Sequence, residues 1–107
     1  MTLAATPQPP YWAVIFTSAR TEVTEGYAQT ADQMLALAAQ QPGYLGVEFA
    51  GDDAASITVS YWESLDAIAQ WRRHADHSAA QAAGRARWYR RYALRVARVE
   101  RATFFEK

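Results

Sequence analysis

The chain has 107 residues, half of them apolar, a formal net charge of zero and no cysteine. That length holds one core and not two, and the composition belongs to an ordered globular protein. The missing thiols exclude a disulfide frame, a thiolate metal site and a cysteine nucleophile; with no signal-like start and no run of about 18 apolar residues, the expected location is cytoplasmic and no membrane contact is expected.

The opening MTLAATPQPP places three prolines within four residues. Residues 1–10 are therefore expected to be a flexible tail, with a single domain over 11–107. YWAVIFTSA, from Tyr11, is rich in aromatic and β-branched residues and predicts a first strand. Trp12, Val14 and Phe16 share one face, while Ala13, Ile15 and Thr17 share the other, so both faces are largely apolar. Thr24 is placed to cap a helix reaching about Gln41, with Glu25 at its positive end. Tyr27, Ala31, Met34, Leu35 and Ala38 form its buried stripe, and Pro42–Gly43 stop it.

YLGVEFA predicts a second strand, with Leu45, Val47 and Phe49 alternating against Tyr44, Gly46 and Glu48. GDDAA is a turn, and SITVSYW returns as a third strand of a hairpin. Trp62 is assigned to the helix-facing side because YWES leads directly into the next helix. Ser64 caps that helix, LDAIAQWRRH, with Asp66 in its first turn. A break near His74–Asp76 and a second helical piece from about His77 to Arg90 are expected. YALRVARVERATFF then closes the chain as the last strand.

Strand, helix, strand, strand, helix, strand is the split β-α-β order of an α+β, ferredoxin-like domain. It predicts a four-stranded antiparallel sheet with helices on one face. Apolar residues on the other face need a cover, and a homodimer packed sheet to sheet supplies it.

The stretch Trp71–Tyr92 concentrates the chemistry. On a helix His77, Gln81, Gly84 and Trp88 share one face, and a glycine there invites close approach by a strand or a flat ligand. One reading is a pocket for a small aromatic ligand, walled by Phe16, Trp62, Trp71 and Trp88. His77 and His74 would then transfer protons, and Gln81 and Arg85 would orient a polar or anionic oxygen. The other reading is a helix packed through Ala80, Gly84 and Trp88, with His77 and Gln81 at its rim. Two histidines are too few for a zinc site, so no metal is expected. Nine of the eleven basic residues are arginines between Arg72 and Arg101. They suit an anionic substrate or a solvated face, and a neutral domain without an RNA-binding signature gives no expectation of nucleic acid.

QQPGYLG, SYWESLDAIAQW, HADHSAAQ and the closing VARVER together resemble the antibiotic-biosynthesis-monooxygenase (ABM) superfamily, over about residues 11–104. The resemblance implies a dimeric α/β barrel and a pocket between sheet and helices. Some members oxidise phenols or quinols with O2 and no cofactor, the substrate supplying the electrons. Others bind and open haem through an asparagine on the first strand, a tryptophan after the third, and a histidine ten residues beyond it. Trp71 matches that tryptophan, but Gln81 stands at the histidine position and the first strand has no asparagine. The resemblance thus implies a cofactor-independent monooxygenase, with a haem-binding protein and a non-catalytic small-molecule binder as alternatives.

Overall fold

A computed structural model describes residues 1–76 and 86–107 of the chain. The elements are β1 (Tyr11–Arg20), α1 (Tyr27–Ala39), β2 (Tyr44–Gly51), β3 (Ala55–Trp62), α2 (Leu65–Asp76) and β4 (Tyr89–Val99). They form one antiparallel four-stranded sheet in the order β2-β3-β1-β4. This is the expected ferredoxin-like α+β fold.

Residues directly opposite in neighbouring strands share a face. Trp12 pairs with Trp62, Val14 with Ser60 and Val96, and Phe16 with Thr58 and Leu94, which defines the helix-facing side. Its core joins Val14 and Trp62 to Ala38 of α1 and to Ala67 and Ile68 of α2, with Trp12, Tyr44 and Trp71 packed around them. The alanines let both helices approach the sheet, and Trp62 is fully buried among them.

Local chemistry sets the element ends, not always as the sequence predicts. Ser64 does cap α2, its Oγ accepting from Ala67 N at 3.0 Å. Thr24 does not cap α1: the cap is Gly26, left-handed at φ 79° and without a side-chain cap bond. A Cβ on Gly26 would lie 3.3 Å from the Trp88 ring, so the packing of Trp88 across this helix start favours glycine there. The break expected near His74–Asp76 is absent, because α2 runs continuously to Asp76. β4 begins at Tyr89, earlier than expected, since Tyr89 pairs with Arg20 across the sheet. The second helical piece expected from His77 falls largely outside the described residues.

In β2 the simple alternation fails. Tyr44 pairs with Trp62, but Gly46 pairs with Tyr61, leaving Leu45 as an extra residue. Tyr44, Val47 and Phe49 consequently share the helix-facing side, and Leu45 does not belong to their series.

The opposite face carries Tyr11, Ala13, Ile15 and Thr17 of β1 beside Ile57, Val59 and Tyr61 of β3. Ile57 is 49% exposed there. The N-terminal segment covers part of this face. Ala4 N donates to Glu48 Oε2 at 3.0 Å, the Thr6 and Tyr11 hydroxyls are 2.8 Å apart, and Tyr61 Oη donates to Glu48 Oε1 at 2.6 Å. Burial, then the Glu48 carboxylate, push the Tyr61 phenol far above its ordinary range.

Candidate functional site

Between α1 and the sheet lies a cavity of about 620 Å³. Val14 and Phe16 of β1, Val47 of β2, Thr58 and Ser60 of β3 and Leu94 of β4 line its sheet side. The α1 stripe Tyr27, Ala31, Met34, Leu35 and Ala38 forms its roof. The spacing predicted a buried core stripe, yet among these five residues only Ala38 is buried. The rest present apolar surface to the hollow, which is how a small-molecule pocket is built.

Aromatic groups close the two ends. Near the Trp12 end of β1, Trp71 lines the cavity and stacks on Trp62, with ring centroids 6.1 Å apart and planes 20° apart. Tyr44 stands edge-on to Trp62 at 5.5 Å, and burial raises the pKa of its phenol. Trp62 itself lies behind this wall. Its Nε1 donates to Ser60 Oγ at 2.9 Å, which satisfies the buried indole and fixes a hydroxyl that faces the cavity.

At the Arg20 end the lining is Trp88, Tyr89, Tyr92 and Tyr27. Trp88 is anchored by Nε1 donating to Glu25 O at 2.9 Å and meets Tyr27 edge-on at 5.7 Å. Phe16 lies between Tyr89 at 5.5 Å and Tyr92 at 5.4 Å. Burial, then the neighbouring Tyr27 phenol, push Tyr89 well above the usual tyrosine range, while Arg20 pulls it the other way. Tyr89 is therefore a neutral O–H donor. Behind it, the Arg20 guanidinium lies 3.3 Å from the Tyr27 ring centroid.

Of the residues singled out in the sequence, Phe16, Trp71 and Trp88 meet around this cavity, and Trp62 supports it from behind. His74 is exposed on the last turn of α2 and is not among the lining residues. His77, Gln81 and Arg85 lie outside the described residues. Sequence reasoning missed Arg20, Tyr44 and Tyr92. For Arg20 a signal existed: a cation at a helix-facing position of an apolar strand.

A haem would need an axial donor. Among the described lining residues there is no histidine, and the Tyr44 and Tyr89 phenols are held neutral. The Met34 thioether has no histidine to complement it there, so the described lining fits haem poorly. No group of three or more metal-ligating side chains occurs among the described residues.

The profile of the antibiotic biosynthesis monooxygenase family matches residues 10–83. The uncharacterized protein YqjZ of Bacillus subtilis (strain 168) is 53% identical over 106 residues, covering 98% of this chain and 93% of that protein. The fold is similar to that of a mutant of SnoaB, a cofactor-independent oxygenase from Streptomyces nogalater. There the TM-score is 0.69 and the identity 14%, over 90% of this chain and 98% of that one. It is also similar to a dimeric ferredoxin-like protein of unknown function from Thermobifida fusca, with a TM-score of 0.65 and 15% identity, over 92% of this chain and all of that one. The chain belongs to the antibiotic biosynthesis monooxygenase family. No helix among the described residues is long and apolar enough to cross a membrane.

Proposed function

We propose that the protein is a cofactor-independent monooxygenase acting on a small phenol or quinol. The cavity of about 620 Å³, floored by strands and closed at both ends by aromatic rings, carries this reading. It is apolar enough to take a flat ring and has hydroxyls at a few points to orient it. The oxygenase SnoaB, similar in fold, supports the same chemistry.

An electron-rich substrate supplies its own reducing power. A ring carbon of a phenol loses hydrogen and gains one atom of O2; the other oxygen atom leaves as water, and the ring becomes a quinone. Trp71, Trp88 and Phe16 wall the ring, and His77 moves protons, while Gln81 and Arg85 orient an oxygen substituent. The protein works as a homodimer, its Ile57-bearing sheet face covered by a second copy, as the dimeric relative from Thermobifida fusca supports.

The test is O2 uptake by the purified protein over a panel of phenols and quinols, with quinone formation followed in parallel. Uptake matched one to one with quinone is expected. Saturable ligand binding without uptake would make the protein a binder instead. His77→Ala should abolish turnover; unchanged turnover would remove that histidine from the mechanism.

A further inference from the structure

Arg20 is the only buried cation among the described residues, with 9% of its surface exposed. It ends β1 on the helix-facing side, opposite Tyr89, where the pairing with β4 shifts register. Its Nε has no hydrogen-bond partner among the described residues. Among the described side chains no carboxylate pairs with it, and the ion pair between Arg98 and Glu100 lies on the surface. A guanidinium withdrawn from water without a carboxylate beside it is unfavourable unless another negative charge comes near.

The geometry shows where that charge would lie. The guanidinium covers the Tyr27 ring, and Tyr27 and Tyr89 both line the cavity. A cation over a phenol ring favours electron density moving from the hydroxyl into the ring, so it strengthens Tyr27 as a hydrogen-bond donor. Burial keeps Tyr89 protonated beside it. Two phenols backed by a fixed positive charge, in a largely apolar hollow, form an arrangement that stabilises an oxyanion. Among the described residues, the other titratable groups lining the cavity are Asp32 on α1, Arg72 on α2, Tyr44 on β2 and Tyr92 on β4. Asp32, the only carboxylate among them, is exposed and more than a helical turn from Tyr27.

We propose that the Tyr27–Tyr89 end of the cavity binds the ionised oxygen of a phenol or enol, so that the enzyme selects acidic hydroxyaromatic substrates as their anions. Tyr27 and Tyr89 touch the oxygen; Arg20 is a positioning residue that acts through Tyr27. The proposal rests on the monooxygenase reading for its aromatic substrate and adds the charge state and orientation.

The probe is 4-nitrophenol, whose phenolate absorbs visible light and whose neutral form does not, titrated with the full-length protein across pH. Bound probe should ionise at least one pH unit below free probe, a preference of at least tenfold for phenolate. 4-Nitroanisole, which cannot ionise, should bind at least tenfold more weakly than the phenolate. Tyr27→Phe and Arg20→Gln should each erase the shift while probe binding persists, and Arg20→Lys should restore part of it. Tyr27→Phe keeps the test decisive if the Arg20→Gln chain fails to fold. A bound probe that ionises where free probe does, or a folded Tyr27→Phe variant that keeps the shift, overturns the oxyanion site and leaves the aromatic pocket intact. No saturable binding of either probe overturns both.

Discussion

Trp62 and Trp71 stack nearly parallel, with 6.1 Å between ring centroids, yet only Trp71 lines the cavity. One indole is a fully buried support and the other a wall resting on it. Trp62→Ala should lower stability by about 3–5 kcal/mol, because it empties a core site and leaves the Ser60 hydroxyl without its donor. Trp71→Ala, at a half-buried site, should cost less stability and weaken aromatic ligand binding more. Urea denaturation and ligand titration of the two variants separate these roles; equal losses in both assays would contradict the division.

Gly43 should tolerate no side chain. Its φ is 86°, and a Cβ there would stand 2.6 Å from the Ala67 Cβ, while its carbonyl accepts from Glu63 N at 2.8 Å. Gly43→Ala therefore combines a left-handed backbone, which disfavours alanine by about 1–2 kcal/mol, with a direct clash against α2. A clear fall in melting temperature is expected. A wild-type melting temperature would show that this loop does not hold α2 in place.

Asp52 makes the β2–β3 turn sensitive to acid. Its Oδ1 accepts from Ala54 N at 2.8 Å and Ala55 N at 3.0 Å, and these bonds, Ala55 first, hold its pKa below the ordinary carboxylate value. The unfolded chain takes up the proton first, at about pH 3.9, so the contribution is complete above that value and lost as pH falls through the lower folded pKa. Wild type should melt above Asp52→Ala at neutral pH, with the gap closing in strong acid. A gap of constant size across that range would rule out the charged bonds as its source.

Ile57 tests the dimer. It stands half-exposed on the sheet face away from the helices, between Thr17 and Ala50 in the pairing. Ile57→Glu would bury a carboxylate in a sheet-to-sheet interface, so analytical ultracentrifugation should show wild-type dimers and variant monomers. A dimeric variant would place the interface elsewhere.

The fold was legible because its signals are local. Period-two apolar runs, the Pro42–Gly43 stop and the Ser64 cap each act within a few residues and agree with one another. The faces of β2 were less legible, since the extra residue at Leu45 reveals itself only through pairing with β3. Thr24 misled for a similar reason: Trp88, far away in sequence, packs against the start of α1. The aromatic walls could be picked out as residue types. The Arg20–Tyr27–Tyr89 cluster could not, because β1, α1 and β4 meet only in the folded chain.

The extra residue in β2 also gives one wall a residue of slack. Leu45 has no place of its own in the ladder, so deleting it leaves Tyr44 opposite Trp62 and Gly46 opposite Tyr61, and Val47 and Phe49 keep their face and their partners. A residue inserted after Gly46 has no such slack, because side chains in a strand alternate and everything beyond it would turn over or lose its partners in β3. If the strand turned over, Val47 and Phe49 would leave the hollow and the Glu48 carboxylate would enter it, taking the anchor of the N-terminal segment along. For anyone resizing the cavity, β2 can be shortened by one residue at its bulge but not lengthened beyond it.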